Sequence, residues 1–64
     1  MITVNGRQCP ADGMSIAELL TATGDDARRV AVELNGSIAA RARHDELVLH
    51  DGDCVEIVRF VGGG

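Results

Sequence analysis

The stretch MSIAELLTATG, residues 14–24, decides the fold of this 64-residue chain. Ser15 is a natural N-cap, and Glu18, three residues later, completes a capping box in which each residue satisfies an amide of the other. Gly24 can adopt the left-handed conformation that ends a helix. We therefore predict a helix of about two turns between Ser15 and Gly24.

This predicted helix cannot be stable alone, because isolated helices shorter than about 12 residues are marginal in water. Its apolar side chains lie on one face and need a partner. That face consists of Ile16, Leu19, Leu20 and Thr23, with Met14 and Leu19 at the two hydrophobic-staple positions. We expect a sheet to cover it, which predicts an α+β fold.

Two Asn-Gly pairs, at 5–6 and 35–36, predict hairpin turns. The strands that flank them are ITV (2–4) and RQC (7–9), then VAVEL (30–34) and SIAAR (37–41). VAVEL is apolar on both faces, which is typical of a central strand.

The second half of the chain predicts two more strands, LVLH at 47–50 and the longest, CVEIVRFV, at 54–61. HDGD at 50–53 is a turn, DDARR at 25–29 is a linker, and residues 42–46 are a loop or a single helical turn. No repeat and no long linker divides the chain. We predict one domain, residues 1–64, with a mixed sheet of about five strands packed on one main helix.

Composition excludes several classes of protein. Ten acidic residues against six arginines give a net charge of −4, which argues against a nucleic-acid partner. The absence of a signal peptide and of a membrane-spanning apolar run predicts a cytoplasmic protein with no membrane contact. With one Phe and no Trp or Tyr, the core is expected to be aliphatic and too small for an internal active site.

Neither the two cysteines nor the two histidines have metal-ligand spacing. Cys9 and Cys54 are expected to be free thiols, since nothing places the chain in an oxidising compartment. The sequence around His44 lacks the second histidine of a zinc-protease motif. We predict no metal site and no bound cofactor.

The last strand has two distinct faces. Alternation places Val55 and Ile57 on the face that we expect to be core. Val58 and Phe60 lie on the other face with Glu56, where they are too apolar for ordinary solvent exposure. They form a candidate partner-binding face. The alternative is that Phe60 covers the end of the core.

Three glycines, Gly62, Gly63 and Gly64, follow this strand. They do not form a phosphate-binding loop, because no helix follows to supply amide groups. Without Cβ atoms they can thread a narrow channel and deliver a terminal carboxylate into a partner's active site. A carboxylate must first become an acyl-adenylate before a sulfur nucleophile can displace AMP. The alternative is a frayed end.

The strand–turn–strand–helix opening, HDGDCVEIV at 50–58 and RFVGGG at 59–64 together resemble the ThiS family, the sulfur carriers of thiamine thiazole biosynthesis. The resemblance covers the whole chain and implies the ubiquitin-like β-grasp fold with a flexible tail at 62–64. It implies that the carboxylate of Gly64 is adenylated and then converted to a thiocarboxylate. It also supports Val58 and Phe60 as a partner-binding face.

The resemblance implies three partners: an E1-like adenylating enzyme that uses ATP and Mg²⁺, a cysteine desulfurase as sulfur source, and thiazole synthase as acceptor. The carrier would be a cosubstrate and not an enzyme. Alternatives are the small subunit of molybdopterin synthase or another β-grasp sulfur carrier. A ubiquitin-like modifier and a plain interaction domain are alternatives of other classes. The sequence leaves the acceptor open.

Overall fold

The computed structural model describes residues 1–60, which form a five-stranded sheet with one α-helix across one face. The strands are β1 (Ile2–Val4), β2 (Arg7–Cys9), β3 (Val30–Leu34), β4 (Ser37–Ile38) and β5 (Cys54–Arg59), and the helix is α1 (Ile16–Thr23). The order in the sheet is β2-β1-β5-β3-β4. β1 and β5 are parallel, and the other neighbours are antiparallel. This confirms the α+β prediction and is the β-grasp arrangement that the resemblance implies.

Both predicted Asn-Gly turns form. Asn5 and Gly6 have φ angles of 49° and 81°, and Asn35 and Gly36 have φ angles of 52° and 86°. Positive φ at both central residues is the signature of the type I′ turn, whose twist matches that of the flanking strands. The turns therefore fix the register of the β1–β2 and β3–β4 hairpins.

The helix begins and ends where the sequence predicts. Ser15 Oγ accepts a hydrogen bond from the Glu18 amide at 3.0 Å, and the Ser15 amide donates to the Glu18 carboxylate at 2.8 Å. Gly24 follows the last turn with φ at 78° and donates to the carbonyls of that turn. Three of the four predicted face residues are buried, whereas Thr23 is exposed.

The predicted strand at 47–50 is wrong. Backbone amides and carbonyls of this segment form hydrogen bonds with the residues around the start of the helix and not with the sheet. The Ile16 amide, which has no acceptor within α1, donates to Leu47 O at 3.0 Å. The Leu49 amide donates to Met14 O at 2.8 Å, so the segment makes only an isolated bridge outside the sheet.

Two other predicted segments are shorter or more structured than expected. The strand predicted at 37–41 stops at Ile38, because the chain turns away after the Ala39 amide donates to Val32 O at 2.8 Å. A 3-10 turn at Arg41–Arg43 follows. The predicted linker at 25–29 contains a second 3-10 turn, Ala27–Arg29.

Apart from the polar Ser15 and His44, the buried side chains lie between α1 and one face of the sheet and are all aliphatic, as the composition predicts. They are Ile2, Ala11, Ile16, Leu19, Leu20, Val32, Ala39, Leu49, Val55 and Ile57. The opposite sheet face has no layer over it within residues 1–60. In the same part of the chain, no helix has the length and apolar character needed to cross a bilayer.

Candidate outer-face binding site

Strand β5 lies at the centre of the sheet, and in the sequence its last residue, Arg59, precedes the three glycines by three positions. Val55 and Ile57 are 0% and 4% exposed, which confirms them as core. Val58 and Phe60 lie on the opposite face and are 48% and 65% exposed. The alternative that Phe60 covers the end of the core is therefore wrong. The predicted last residue of this strand, Val61, lies outside the described residues.

The pairing of β3 with β4 and β5 places four further side chains on the same face as Val58 and Phe60. Ala31 is opposite Val58, Glu33 is opposite Glu56, and Ile38 is opposite Glu33. We call this surface the outer face; it consists of Ala31, Glu33, Ile38, Glu56, Val58 and Phe60. Ile38 is 70% exposed, so a large part of the outer face is apolar and open.

Sequence reasoning did not assign Glu33 and Ile38 to this surface. The alternation within VAVEL does predict that Ala31 and Glu33 lie on the face of the strand opposite the buried Val32. Their position beside Val58 and Glu56, however, follows only from the antiparallel register of β3 with β5, in which residue numbers of partners sum to a constant.

The end of β5 is fixed to the end of the helix. Arg59 Nε donates to Asp25 Oδ1 at 2.8 Å and Arg59 Nη2 donates to Asp25 Oδ2 at 2.9 Å, while Thr23 Oγ1 donates to the same carboxylate at 2.7 Å. The bonds from Arg59, and then that from Thr23, hold the pKa of Asp25 below its ordinary value. Asp25 in turn raises the pKa of Arg59. The Phe60 amide donates to Arg29 O at 3.2 Å.

On the side of β1, which ends at Val4, β5 forms hydrogen bonds with the side chain of Asn5. The Ile57 amide donates to Asn5 Oδ1 at 2.6 Å, and Asn5 Nδ2 donates to Ile57 O at 3.1 Å. Asn5 belongs to the turn after β1, so its amide group acts as one more rung of the sheet. β5 is therefore paired on both sides as far as Ile57.

The DGD motif, residues 51–53, forms the turn that precedes β5. Asp53 accepts hydrogen bonds from the His50 amide at 2.9 Å and from Asn35 Nδ2 at 3.0 Å. These bonds, the backbone one first, hold the pKa of Asp53 below its ordinary value. Asn35 Oδ1 also accepts from the Cys54 amide at 2.9 Å, so the two turns at this end of the sheet are joined.

Both cysteines are free, as predicted: Cys9 is half-buried and Cys54 is exposed. Within residues 1–60, no three side chains of histidine, cysteine, aspartate or glutamate are grouped as a metal site would require. The predicted tail residues Gly62, Gly63 and Gly64 lie outside the described residues.

Comparison with known proteins extends this description. A model of the ThiS family matches residues 2–64. The sulfur carrier protein ThiS of Bacillus subtilis is 38% identical over an alignment of 66 positions, which covers all of both chains. The crystal structure of the thiamine biosynthesis protein ThiS from Geobacter metallireducens is 40% identical, with a TM-score of 0.78 over 98% of this chain and 97% of that one.

A different relative is a larger protein. A thiazole synthase of Paramagnetospirillum magneticum is 38% identical over 64 residues, which cover 98% of this chain. The chain spans about a fifth of that relative's length, since the match covers 20% of it. In that protein, a sequence similar to the whole chain is thus part of a thiazole synthase.

Proposed function

The chain belongs to the ThiS family, and on that premise we propose that it is a sulfur carrier of thiamine biosynthesis and acts as a cosubstrate, not as an enzyme. The observation that carries this proposal is the arrangement of β5. The central strand presents Val58 and Phe60 on an open face and is held by Asn5 and Asp25. In the sequence, Gly62, Gly63 and Gly64 follow soon after its end. Family membership favours this function over the molybdopterin synthase subunit, the protein modifier and the plain interaction domain.

The proposed chemistry takes place at the carboxylate of Gly64. A carboxylate oxygen attacks the α-phosphorus of ATP, and pyrophosphate leaves, with Mg²⁺ supplied alongside ATP in the E1-like adenylating enzyme. A sulfur nucleophile at the oxidation level of sulfide then attacks the acyl carbon, the bond to AMP breaks, and a thiocarboxylate remains. Adenylation is required because the free carboxylate is anionic at neutral pH and is a poor acyl donor.

The chain's own residues supply recognition and positioning in this scheme. Val58 and Phe60 contact the partner, and the absence of side chains in the three glycines lets the tail enter a narrow active site. A cysteine desulfurase supplies the sulfur as a persulfide, and a thiol reductant releases it at the oxidation level of sulfide and is itself oxidised to a disulfide. Thiazole synthase receives it, and the presence of a similar sequence within a larger thiazole synthase supports this choice of acceptor.

The intact mass of the carrier tests the proposal. The protein is incubated with ATP, Mg²⁺, the adenylating enzyme, a cysteine desulfurase with cysteine, and a thiol reductant. We expect a mass gain equal to the exchange of one oxygen for sulfur, located at Gly64 by fragmentation. A variant with one alanine added after Gly64 is the control, and it should keep the fold and gain no mass.

An unchanged mass of the natural chain, with enzymes shown to be active on another carrier, would refute the proposal. Equal sulfur loading of the lengthened variant would also refute it, because the chemistry requires the carboxylate of Gly64 itself. Adding thiazole synthase and its other substrates to the loaded carrier tests the acceptor. We expect the mass to return to its starting value as sulfur is transferred.

A further inference from the structure

The two Asn-Gly turns carry the same chemically reactive pair of residues. In such a pair, the glycine amide nitrogen can attack the side-chain carbonyl carbon of asparagine, because glycine has no side chain to hinder the approach. Asn5 and Asn35 have similar φ angles, 49° and 52°, and so do the glycines that follow them, 81° and 86°. Within residues 1–60, only chain neighbours lie within 4 Å of the Cβ position that Gly6 or Gly36 lacks. The turns differ instead in the partners of their asparagine side chains.

The side chain of Asn5 is held at the centre of the sheet. Its Oδ1 accepts a hydrogen bond from the Ile57 amide at 2.6 Å, and its Nδ2 donates to Ile57 O at 3.1 Å. Ile57 is 4% exposed, and both bonds are partly buried. Release of the Asn5 side chain therefore requires β5 to lose a hydrogen-bonding partner beside a core residue.

The side chain of Asn35 is held at the exposed end of the sheet. Its Oδ1 accepts a hydrogen bond from the Cys54 amide at 2.9 Å, and its Nδ2 donates to Asp53 Oδ1 at 3.0 Å. Both bonds are exposed to solvent, and Cys54 is the exposed first residue of β5. Local opening costs less free energy where hydrogen bonds are exposed than it does within a core strand. The Asn35 side chain is therefore released more often than that of Asn5.

We propose that Asn35 is a site of spontaneous deamidation in the folded protein, and that the fold protects Asn5 from the same reaction. The Gly36 nitrogen bonds to Cγ of Asn35, the Cγ–Nδ2 bond breaks, and the proton of the Gly36 amide leaves with Nδ2 as ammonia. Water then opens the resulting cyclic imide to aspartate or isoaspartate. Water is the only reagent consumed, and the new carboxylic acid ionises at neutral pH and adds one negative charge.

This modification changes the contact between Asn35 and the turn at residues 51–53. An oxygen replaces the nitrogen that donates to Asp53 Oδ1, so a contact of donor and acceptor becomes a contact of two acceptors. Two carboxylates this close repel each other when both are ionised. The type I′ turn itself accommodates Asp-Gly as well as Asn-Gly, so for the aspartate product the cost falls on the residues that precede β5. Deamidation at Asn35 thus yields a less stable form of the protein as it ages.

The rate of deamidation at each asparagine tests the proposal. The natural chain is incubated at mildly alkaline pH, in buffer and in guanidinium chloride that unfolds it. Cleavage after arginine then places Asn5 in the peptide 1–7 and Asn35 in the peptide 30–41, where mass spectrometry detects the exchange of NH2 for OH. We expect equal rates in denaturant. In buffer we expect both rates to fall and Asn35 to react about tenfold faster than Asn5, equivalent to about 1.4 kcal/mol in the free energy of local opening.

Two variants test the role of the contact with Asp53. Asp53→Ala removes the acceptor of Asn35 Nδ2 and leaves the partners of Asn5 in place, so it should raise the rate at Asn35 relative to that at Asn5. Asp45→Ala, at an exposed aspartate outside both turns, is the control and should leave this ratio unchanged. Asn35→Asp is the preformed product. It should unfold at a lower denaturant concentration than the natural chain, and this deficit should shrink in acid, where the carboxylates are protonated.

Several outcomes would overturn the proposal. Deamidation of the folded chain at Asn5 as fast as at Asn35 would do so, and so would rates in buffer as high as those in denaturant. If Asp53→Ala accelerates both sites equally, the contact with Asp53 gives no local protection. An Asn35→Asp variant as stable as the natural chain would refute the repulsion. None of these measurements uses a partner enzyme, so their results are independent of the proposed function.

Discussion

The carboxylate of Asp25 binds the guanidinium of Arg59 at two points, Oδ1 to Nε at 2.8 Å and Oδ2 to Nη2 at 2.9 Å. Asp25 directly follows the residue that ends the helix, and Arg59 is the last residue of β5. The pair therefore joins the two elements beside the point where the chain leaves the sheet. Arg59 lies on the helix side and leaves Phe60, the next residue, open to a partner.

We predict that this ion pair stabilises the fold at neutral pH and that its contribution declines as pH falls below about 4. Arg59 and Thr23 lower the pKa of Asp25, so its contribution is complete above the unfolded-state pKa of about 3.9 and is lost as pH falls through the lower folded-state value. Urea unfolding of Asp25→Asn followed by circular dichroism should show a deficit at neutral pH that shrinks below about pH 4. Asp45→Asn, at an exposed aspartate outside the pair, is the control. A constant deficit at all pH values would contradict the prediction.

Val58→Ala should weaken docking more than it weakens the fold. Val58 is 48% exposed on the outer face, so its loss should change the free energy of unfolding by no more than about 0.5 kcal/mol. Its loss from a buried interface should cost about 1 kcal/mol or more in binding to the adenylating enzyme, measured by calorimetry. Val48→Ala is a matched control, because Val48 is 44% exposed and lies outside the sheet. Equal binding losses in both variants would show that the outer face is not the docking surface.

Asn5→Gly should destabilise the protein by about 1–3 kcal/mol, since two hydrogen bonds to the backbone of Ile57 are lost. Glycine accepts the φ of 49° at this turn, so the variant removes the bonds without adding backbone strain. Asn5→Asp keeps an acceptor for the Ile57 amide and should lose less. Chemical denaturation measures both variants. A glycine variant as stable as the natural chain would mean that water replaces the Asn5 amide group at no cost.

Ser15→Ala should cost about 1 kcal/mol of stability, because the Glu18 amide loses its acceptor at the start of the helix. Ser15→Asp retains an acceptor and places a negative charge at the positive end of the helix, so it should recover most of this loss. Thermal unfolding followed by circular dichroism measures both. A Ser15→Ala variant as stable as the natural chain would contradict the prediction, because the lost cap bond would then have no cost.

The features that were predictable from the sequence are those whose cause is local. Ser15, Glu18 and Gly24 specify the helix within ten residues, and the two Asn-Gly pairs specify their turns. The alternation of β5 separated Ile57 from Val58 correctly. In each case, the residues that decide the conformation are neighbours in the chain.

The features that escaped prediction depend on groups far apart in the sequence. The segment at 47–50 has the composition of a strand, but its Leu47 carbonyl accepts a hydrogen bond from the Ile16 amide at the start of the helix. No pattern within the segment itself indicates this bond. The bond between Asn5 and Ile57 and the pairing of Glu33 with Glu56 both require the order and register of the strands. The outer face was therefore only partly predictable, because the sequence placed Val58 and Phe60 on it and did not place Glu33 and Ile38 there.

The central position of β5 has a mechanical consequence. β1 and the Asn5 side chain hold this strand on one side and β3 holds it on the other, so a pull on the chain beyond Phe60 acts along the strand and loads both ladders in shear. Many hydrogen bonds then resist together instead of breaking one after another. The two outer strands, β2 and β4, make no ladder with β5 and lie outside this line of force. Tension at one end of the protein can thus be borne without deforming the surface by which a second protein would recognise it.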